Sequence, residues 1–264
     1  WLEVEYGKTF AISERANTIS NGLYSNTTEA SQLRDAMVDE LKTMLEYYFD
    51  NNGTLQDILT SDKTFTNNTD LAELYGVSVF NGVVNQSHTK ESRFGIFTSP
   101  AYLSSSLDYV NTFRRGAHLH KYALCGSFSA VTPATPSPPN FDREAIQTNR
   151  QLFKSLVPEG SSCMDCHNSI NNMGFAFEEY NYLGQFKNGG IEPIVNDEGD
   201  IIAQLAVNAI SSPTIGGVNY SAKDLISKAI SSRVIQACFS KQYFRYFYGR
   251  LENVEDSCSI NSLL

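Results

Sequence analysis

The chain has 264 residues, 41% hydrophobic and 19% charged, which excludes a disordered chain and gives material for one large or two small globular domains. Lysine and arginine number 20 against 29 aspartate and glutamate, a formal charge of −9, so no nucleic-acid partner is expected. No apolar run approaches the roughly 18 residues of a membrane helix, so no transmembrane segment is expected in this chain.

Residues 26–49 read as a long amphipathic helix. Asn26 is a candidate N-cap with Glu29 three residues on, and Leu33, Met37, Leu41, Met44, Leu45 and Tyr48 form one apolar stripe. The Asn51-Asn52-Gly53 cluster stops it. Short helical turns are expected at Leu55 to Leu59 and at Leu71 to Tyr75, and a second helix over 113–125. Thr132 to Asn140 carries four prolines and reads as a linker or extended loop. Residues 142–156 look helical. Residues 191–206 read as a small hairpin turned by Asp197-Glu198-Gly199.

From Ser221 the pattern is helical again. Ser221 with Asp224 is a capping signal, and Leu225, Ile226, Ala229 and Ile230 give one apolar stripe. Ile235, Cys238, Phe239, Phe244, Phe247 and Tyr248 give the next, with Gly249 placed to end it. The expected fold class is mainly α with a small β hairpin. The sequons at Asn26, Asn52, Asn67, Asn85 and Asn219 are about as many as chance supplies, so no glycosylation is read from them.

Two of the five cysteines lie in Cys163-Met164-Asp165-Cys166-His167, a C-x-x-C-H motif that reads as c-type haem attachment. The spacing follows from the chemistry. A short helical turn holds two thiols along one porphyrin edge, where they add to the vinyl groups. The histidine immediately after the second cysteine then reaches the iron as proximal ligand. A structural zinc site needs four ligands, and the remaining His88, His118 and His120 offer no second pair at zinc spacing. A redox cysteine pair belongs at a strand-to-helix turn, and no β-rich run precedes Cys163. The expected cofactor is one covalent haem c. The expected domains are an N-terminal helical domain over 1–131, a proline-rich linker over 132–141, and a haem c domain with C-terminal helices over 142–264.

These residues resemble a large family of bacterial proteins built from consecutive domains of unknown function and often found with planctomycete-type cytochrome c domains. Trp1-Leu2, the acidic helix Met37 to Phe49, Leu55 to Leu59 and Leu71 to Gly76 resemble its opening domain. Ser99-Pro100, Arg115-Gly116 through Leu124-Cys125, the proline-rich stretch and the haem motif resemble its middle domain, together with Ile170, Gly174 to Glu178, Tyr180 and Gly184. Cys238, Tyr246, Gly249-Arg250 and Cys258 resemble its closing domain. The family usually carries Asp-Pro before the Gly-Phe pair, where this chain has Asn172-Met173. The resemblance implies an exported haem protein, of which this chain is expected to be a mature or processed portion; it implies no particular reaction.

The candidate haem-binding residues are Cys163, Cys166, His167, Phe175, Phe177 and Tyr180, the three aromatics as haem wall or simply core. If the chain supplies a sixth iron ligand, the expected one is His120. Phe113, Ala117, His120 and Leu124 fall on one helical stripe, whereas His118 shares a side with Arg114, Arg115, Lys121 and Tyr122. The bland alternative is a buried histidine bonded to a backbone carbonyl, with Met173 more a core residue than a ligand. Arg114 and Arg115 are expected as solvated charges before partners of haem propionates.

Three function classes follow. The first is electron transfer, with redox partner proteins or other cytochromes, as part of a larger periplasmic or extracellular assembly. The second is a haem enzyme with an open sixth position, acting on a peroxide or small oxidant. The third is a structural surface protein with a stabilising haem. No acid–base constellation supports catalysis. An oxidising compartment makes a disulfide expected, and Cys238 with Cys258 is the expected pair, leaving Cys125 free or paired outside this sequence; the alternative is that Cys125 takes one of the two and leaves the other free.

Overall fold

The computed structural model of the chain describes residues 27–82, 93–104, 112–127, 146–157, 160, 163–181, 183–187, 190–195, 201–207 and 220–263. Asn26, His88, the proline-rich stretch and the hairpin turn at 197–199 lie outside them.

Helix α1, Thr27–Asp50, buries Leu33, Met37, Leu41 and Met44 as its stripe requires, while Leu45 faces solvent. It ends where Asn52 takes a positive φ and Gly53 N–H donates to the Tyr48 carbonyl. Two short helices fold back on it. Helix α2, Leu55–Thr60, starts from a Thr54/Asp57 capping box; α3, Thr69–Tyr75, starts from Asn68 and stops at left-handed Gly76. Phe65, Leu71 and Leu74 close this cluster against α1.

One polar residue of α1 is also inside. Glu40 accepts hydrogen bonds from Thr64 Oγ1 (3.0 Å), the Phe65 N–H (3.2 Å) and the Tyr75 hydroxyl. Burial pushes its carboxyl above the ordinary range against those bonds. Beside it, the buried Arg93 guanidinium lies 4.4 Å from the Tyr75 ring centre and 5.7 Å from that of Tyr180, and it donates to the Thr98 and Gly184 carbonyls.

A 3₁₀ turn at Ile96–Thr98 leads into α4, Pro100–Leu103. Helix α5, Thr112–His118, runs directly into a π-helical segment, Leu119–Ala123. The buried face keeps helical spacing but lies one residue before the expected stripe, already within α5, because Gly116 is the residue pressed against the Ile170 backbone. Thr112, Arg115, Gly116, Leu119 and Ala123 are buried; Phe113, Ala117, His120 and Leu124, the stripe expected from 3.6-residue spacing, are half-buried. Arg115 is therefore no solvated charge. It is 2% exposed, and its guanidinium donates to the carbonyls of Leu103, Phe177, Tyr180 and Asn181 at 2.7–2.9 Å.

Helix α6 spans Asn149–Leu156 behind a Thr148/Gln151 capping box, and α7 spans Met164–Phe175. Strands β1, Ile191–Val195, and β2, Ile201–Ala206, form the expected antiparallel hairpin, with Ile191 opposite Ala206 and Ile194 opposite Ala203. Helix α8, Ala222–Ser231, buries Leu225, Ile226, Ala229 and Ile230 as its stripe predicts. Helix α9, Val234–Tyr248, ends at left-handed Gly249, but its stripe is only half realised: Ile235, Cys238 and Phe244 are buried, while Phe239, Phe247 and Tyr248 are exposed. A 3₁₀ turn, Val254–Asp256, and α10, Ser257–Asn261, follow. The fold is mainly α. Its larger core joins Leu59, Tyr102, Leu119, Met173, Phe177, Tyr180, Leu225 and Ile235, from both sides of the proline-rich stretch.

The disulfide is Cys125–Cys238, not Cys238–Cys258. Cys238 sits on the buried side of α9, where its sulfur lies 3.4 Å from the Tyr122 carbonyl, beside the end of the π segment. Cys125 turns towards it with φ 52°. The chain after Gly249 is tied elsewhere, by Arg245 to Glu252, Arg250 to Asp256 and an Asn253 capping box, and these leave Cys258 exposed as a free thiol. Among the described residues no helix is long and apolar enough to cross a membrane.

Candidate functional site

Cys163 stands at the N-cap of α7, with Cys166 and His167 in the first turn; His167 N–H donates to the Cys163 carbonyl at 3.1 Å, the first bond of that helix. Both thiols are unbonded, Cys163 exposed and Cys166 half-buried. A three-residue offset on a helix puts them on one side.

The imidazole of His167 is held at two points. Its Nδ1 lies 2.9 Å from the side-chain oxygen of Asn171, one turn on. Its ring centre lies 4.3 Å from that of Phe113 on α5, edge to face, and Phe153 of α6 backs Phe113 at 4.3 Å. An amide oxygen only accepts, so Nδ1 carries the proton and Nε2 the lone pair. That tautomer is the one a metal-binding imidazole needs, with its other nitrogen fixed by a second residue. The donor set fits a c-type haem: two thiols for the porphyrin edge and one oriented nitrogen base for the iron. Among the described residues no three or more His, Cys, Asp or Glu are grouped to hold a metal ion by themselves.

The other sequence candidates are placed as follows. Phe175, Phe177 and Tyr180 are all buried, and their surroundings are protein: Phe175 under the Arg150 guanidinium (4.6 Å), Phe177 near Tyr102 (6.0 Å), Tyr180 near Phe186 (5.6 Å). Burial pushes the Tyr180 hydroxyl up to about 12. Met173 is 2% exposed in the same core. His120 lies in the π segment with its ring against Gly126, where an added Cβ would fall 2.2 Å from Nε2. His118 packs between Tyr102 and Tyr122. Asn171 and Phe113 are the two contacts of His167 not singled out from the sequence as site residues; Asn171 was legible as the residue one turn from a ligand on the same helix face.

Comparison with known families bears on this geometry. Residues 5–77 match the family model described as PSD4, a protein of unknown function (DUF1592), and residues 93–189 match PSCyt3, a protein of unknown function (DUF1588). Two domain models of unknown function thus match the chain, in keeping with its resemblance to the planctomycete cytochrome-associated domains. Cys163, Cys166, His167 and both residues that touch the imidazole lie inside the second of these matches. Arg93, at the first position of that match, stacks on Tyr75 of the first. No curated protein and no solved structure matches the chain.

Proposed function

We propose that this chain is an exported mono-haem c-type protein that passes single electrons. Cys163 and Cys166 form the thioether bonds, and His167 is the proximal iron ligand. The observation that carries this reading is the first turn of α7: two unbonded, accessible thiols, then an imidazole whose Nδ1 hydrogen is already committed to Asn171. A bound haem c supplies reversible one-electron iron chemistry. The protein's part is to hold the imidazole plane between Asn171 and Phe113 and to keep the two thiols at the helix surface. Partners are redox proteins or other cytochromes, in a larger periplasmic or cell-surface assembly. The Cys125–Cys238 disulfide supports export, because such bonds persist in oxidising compartments.

If the chain supplies a second iron ligand besides His167, His120 would be that residue. Its Nε2 edge abuts Gly126, so ligation requires the turn at 124–127 to move. His120→Ala is expected to convert a low-spin absorption spectrum to a high-spin one; an unchanged low-spin spectrum removes His120 from the iron.

The deciding experiment is a denaturing mass spectrum of protein produced with a c-type maturation system. The mass should exceed that of the bare chain by one haem, and C163A/C166A should return it to the bare chain. A bare mass for the unmodified protein overturns the proposal.

A further inference from the structure

We infer that Asn171 is the positioning residue for His167, setting the reduction potential of the iron through the His167 Nδ1 hydrogen bond; the inference rests on the haem reading above. Four observations support it. Asn171 stands one helical turn from His167, the spacing that puts two side chains over one another. The Nδ1 to Oδ1 distance is 2.9 Å, a full hydrogen bond. Asn171 is 7% exposed, so water does not compete for the bond, and in that low-dielectric setting a hydrogen bond is electrostatically stronger. Asparagine is a poor helix former whose amide favours caps and turns, so helix propensity does not account for it seven residues into α7.

The effect on the iron follows from the charge on the imidazole. An acceptor at Nδ1 draws the N–H outward and makes Nε2 a stronger donor, which favours the more positive ferric state and lowers the potential. A neutral amide does this less than a carboxylate and more than a hydrocarbon. Phe113 fixes the other face of the ring without a polar atom, so the hydrogen-bond influence enters through Asn171.

The test compares the unmodified, haem-loaded protein with Asn171→Leu and Asn171→Asp. Loading is read first, by mass. Midpoint potentials are then read against one-electron mediators. Asn171→Leu should raise the potential and Asn171→Asp should lower it, each by a tenfold change in the equilibrium with the mediator, about 59 mV for one electron. Asn171→Gln, which keeps an amide oxygen on a longer arm, should return the value towards the unmodified protein. Loaded variants whose potentials do not move, or move in one direction together, overturn the role of Asn171 and leave the haem reading standing. An unmodified chain of bare mass overturns both. If Asn171→Leu takes up no haem, the Asp and Gln variants decide alone, by the same signs.

Discussion

Gly116 of α5 and Gly174 of α7 bring two helices into backbone contact: an added Cβ at Gly116 would fall 1.9 Å from the Ile170 carbonyl oxygen, and one at Gly174 would fall 1.9 Å from that of Thr112. The pairing of 116 with 170 and of 112 with 174 makes the crossing antiparallel. On the same two helices, the Phe113 ring lies against that of His167.

Alanine at either position has no space, because the atoms it meets are backbone and cannot rotate away. Overpacking of this kind costs about 3 kcal/mol, more than a helical Gly→Ala gains by propensity. Gly116→Ala and Gly174→Ala should each lower the denaturation midpoint without changing far-UV helix content. A midpoint equal to that of the unmodified chain would refute the close crossing.

Wherever a single spacing rule decides the outcome, the sequence was readable. The α8 stripe, the Ser221 and Gly249 caps, the hairpin and the C-x-x-C-H turn are all local patterns, and each lies where its residues put it. The readings that changed depend on other elements. The Phe113 to Leu124 stripe has the right period and the wrong phase: the buried face runs through Thr112, Arg115, Gly116 and Leu119, set by the contact of Gly116 with the Ile170 backbone, which no local pattern announces. Arg115 reads as surface because a guanidinium usually does; the carbonyls of Leu103 and of the turn after α7, the latter some sixty residues away, make its burial favourable. The cysteine pairing depends on which helix faces which, and nothing local to Cys238 distinguishes Cys125 from Cys258.

The Cys125–Cys238 bond closes a loop with a sequence separation of 113 residues. For a loop of that order, chain-entropy reasoning gives about 5 kcal/mol of stabilisation. Peptide mapping without reduction should return Cys125 joined to Cys238. Cys258 should alkylate in the native, unreduced protein. Recovery of a Cys238–Cys258 peptide instead would refute the pairing, and Cys125→Ala should destabilise by about the stated amount.

Arg115 ties down the turn that follows the candidate site's helix. Its fork satisfies carbonyls of Phe177, Tyr180 and Asn181, in the turn that follows α7. Replacing it with leucine leaves those carbonyls buried and costs about 3 kcal/mol. Arg115→Lys should recover little, since a single ammonium cannot span carbonyls on three residues and Leu103 as well. Equal stability of the lysine variant and the unmodified chain in urea titrations would refute the clamp.

His118 supplies a pH dependence whose sign can be worked out. Its ring is packed between Tyr102 (6.5 Å) and Tyr122 (5.6 Å), and burial, helped by the nearby charges of Arg114 and Lys121, pulls its pKa from 6.5 to about 4. The folded chain therefore resists protonation that the unfolded chain accepts. Between those two values the unfolded state binds more protons, so the His118 contribution is fully present above pH 6.5 and is lost as pH falls towards 4. At about 1.4 kcal/mol for each pH unit by which the two states differ, the loss approaches roughly 3 kcal/mol. Glu40 runs the other way: its raised carboxyl contributes most below the ordinary range, and that contribution is lost as pH rises. The two are separated by difference. The stability of the unmodified chain minus that of His118→Phe should fall between neutral pH and pH 4.5. A difference that stays constant across that range would show that His118 titrates alike in the folded and unfolded chain, and would refute the packed neutral imidazole.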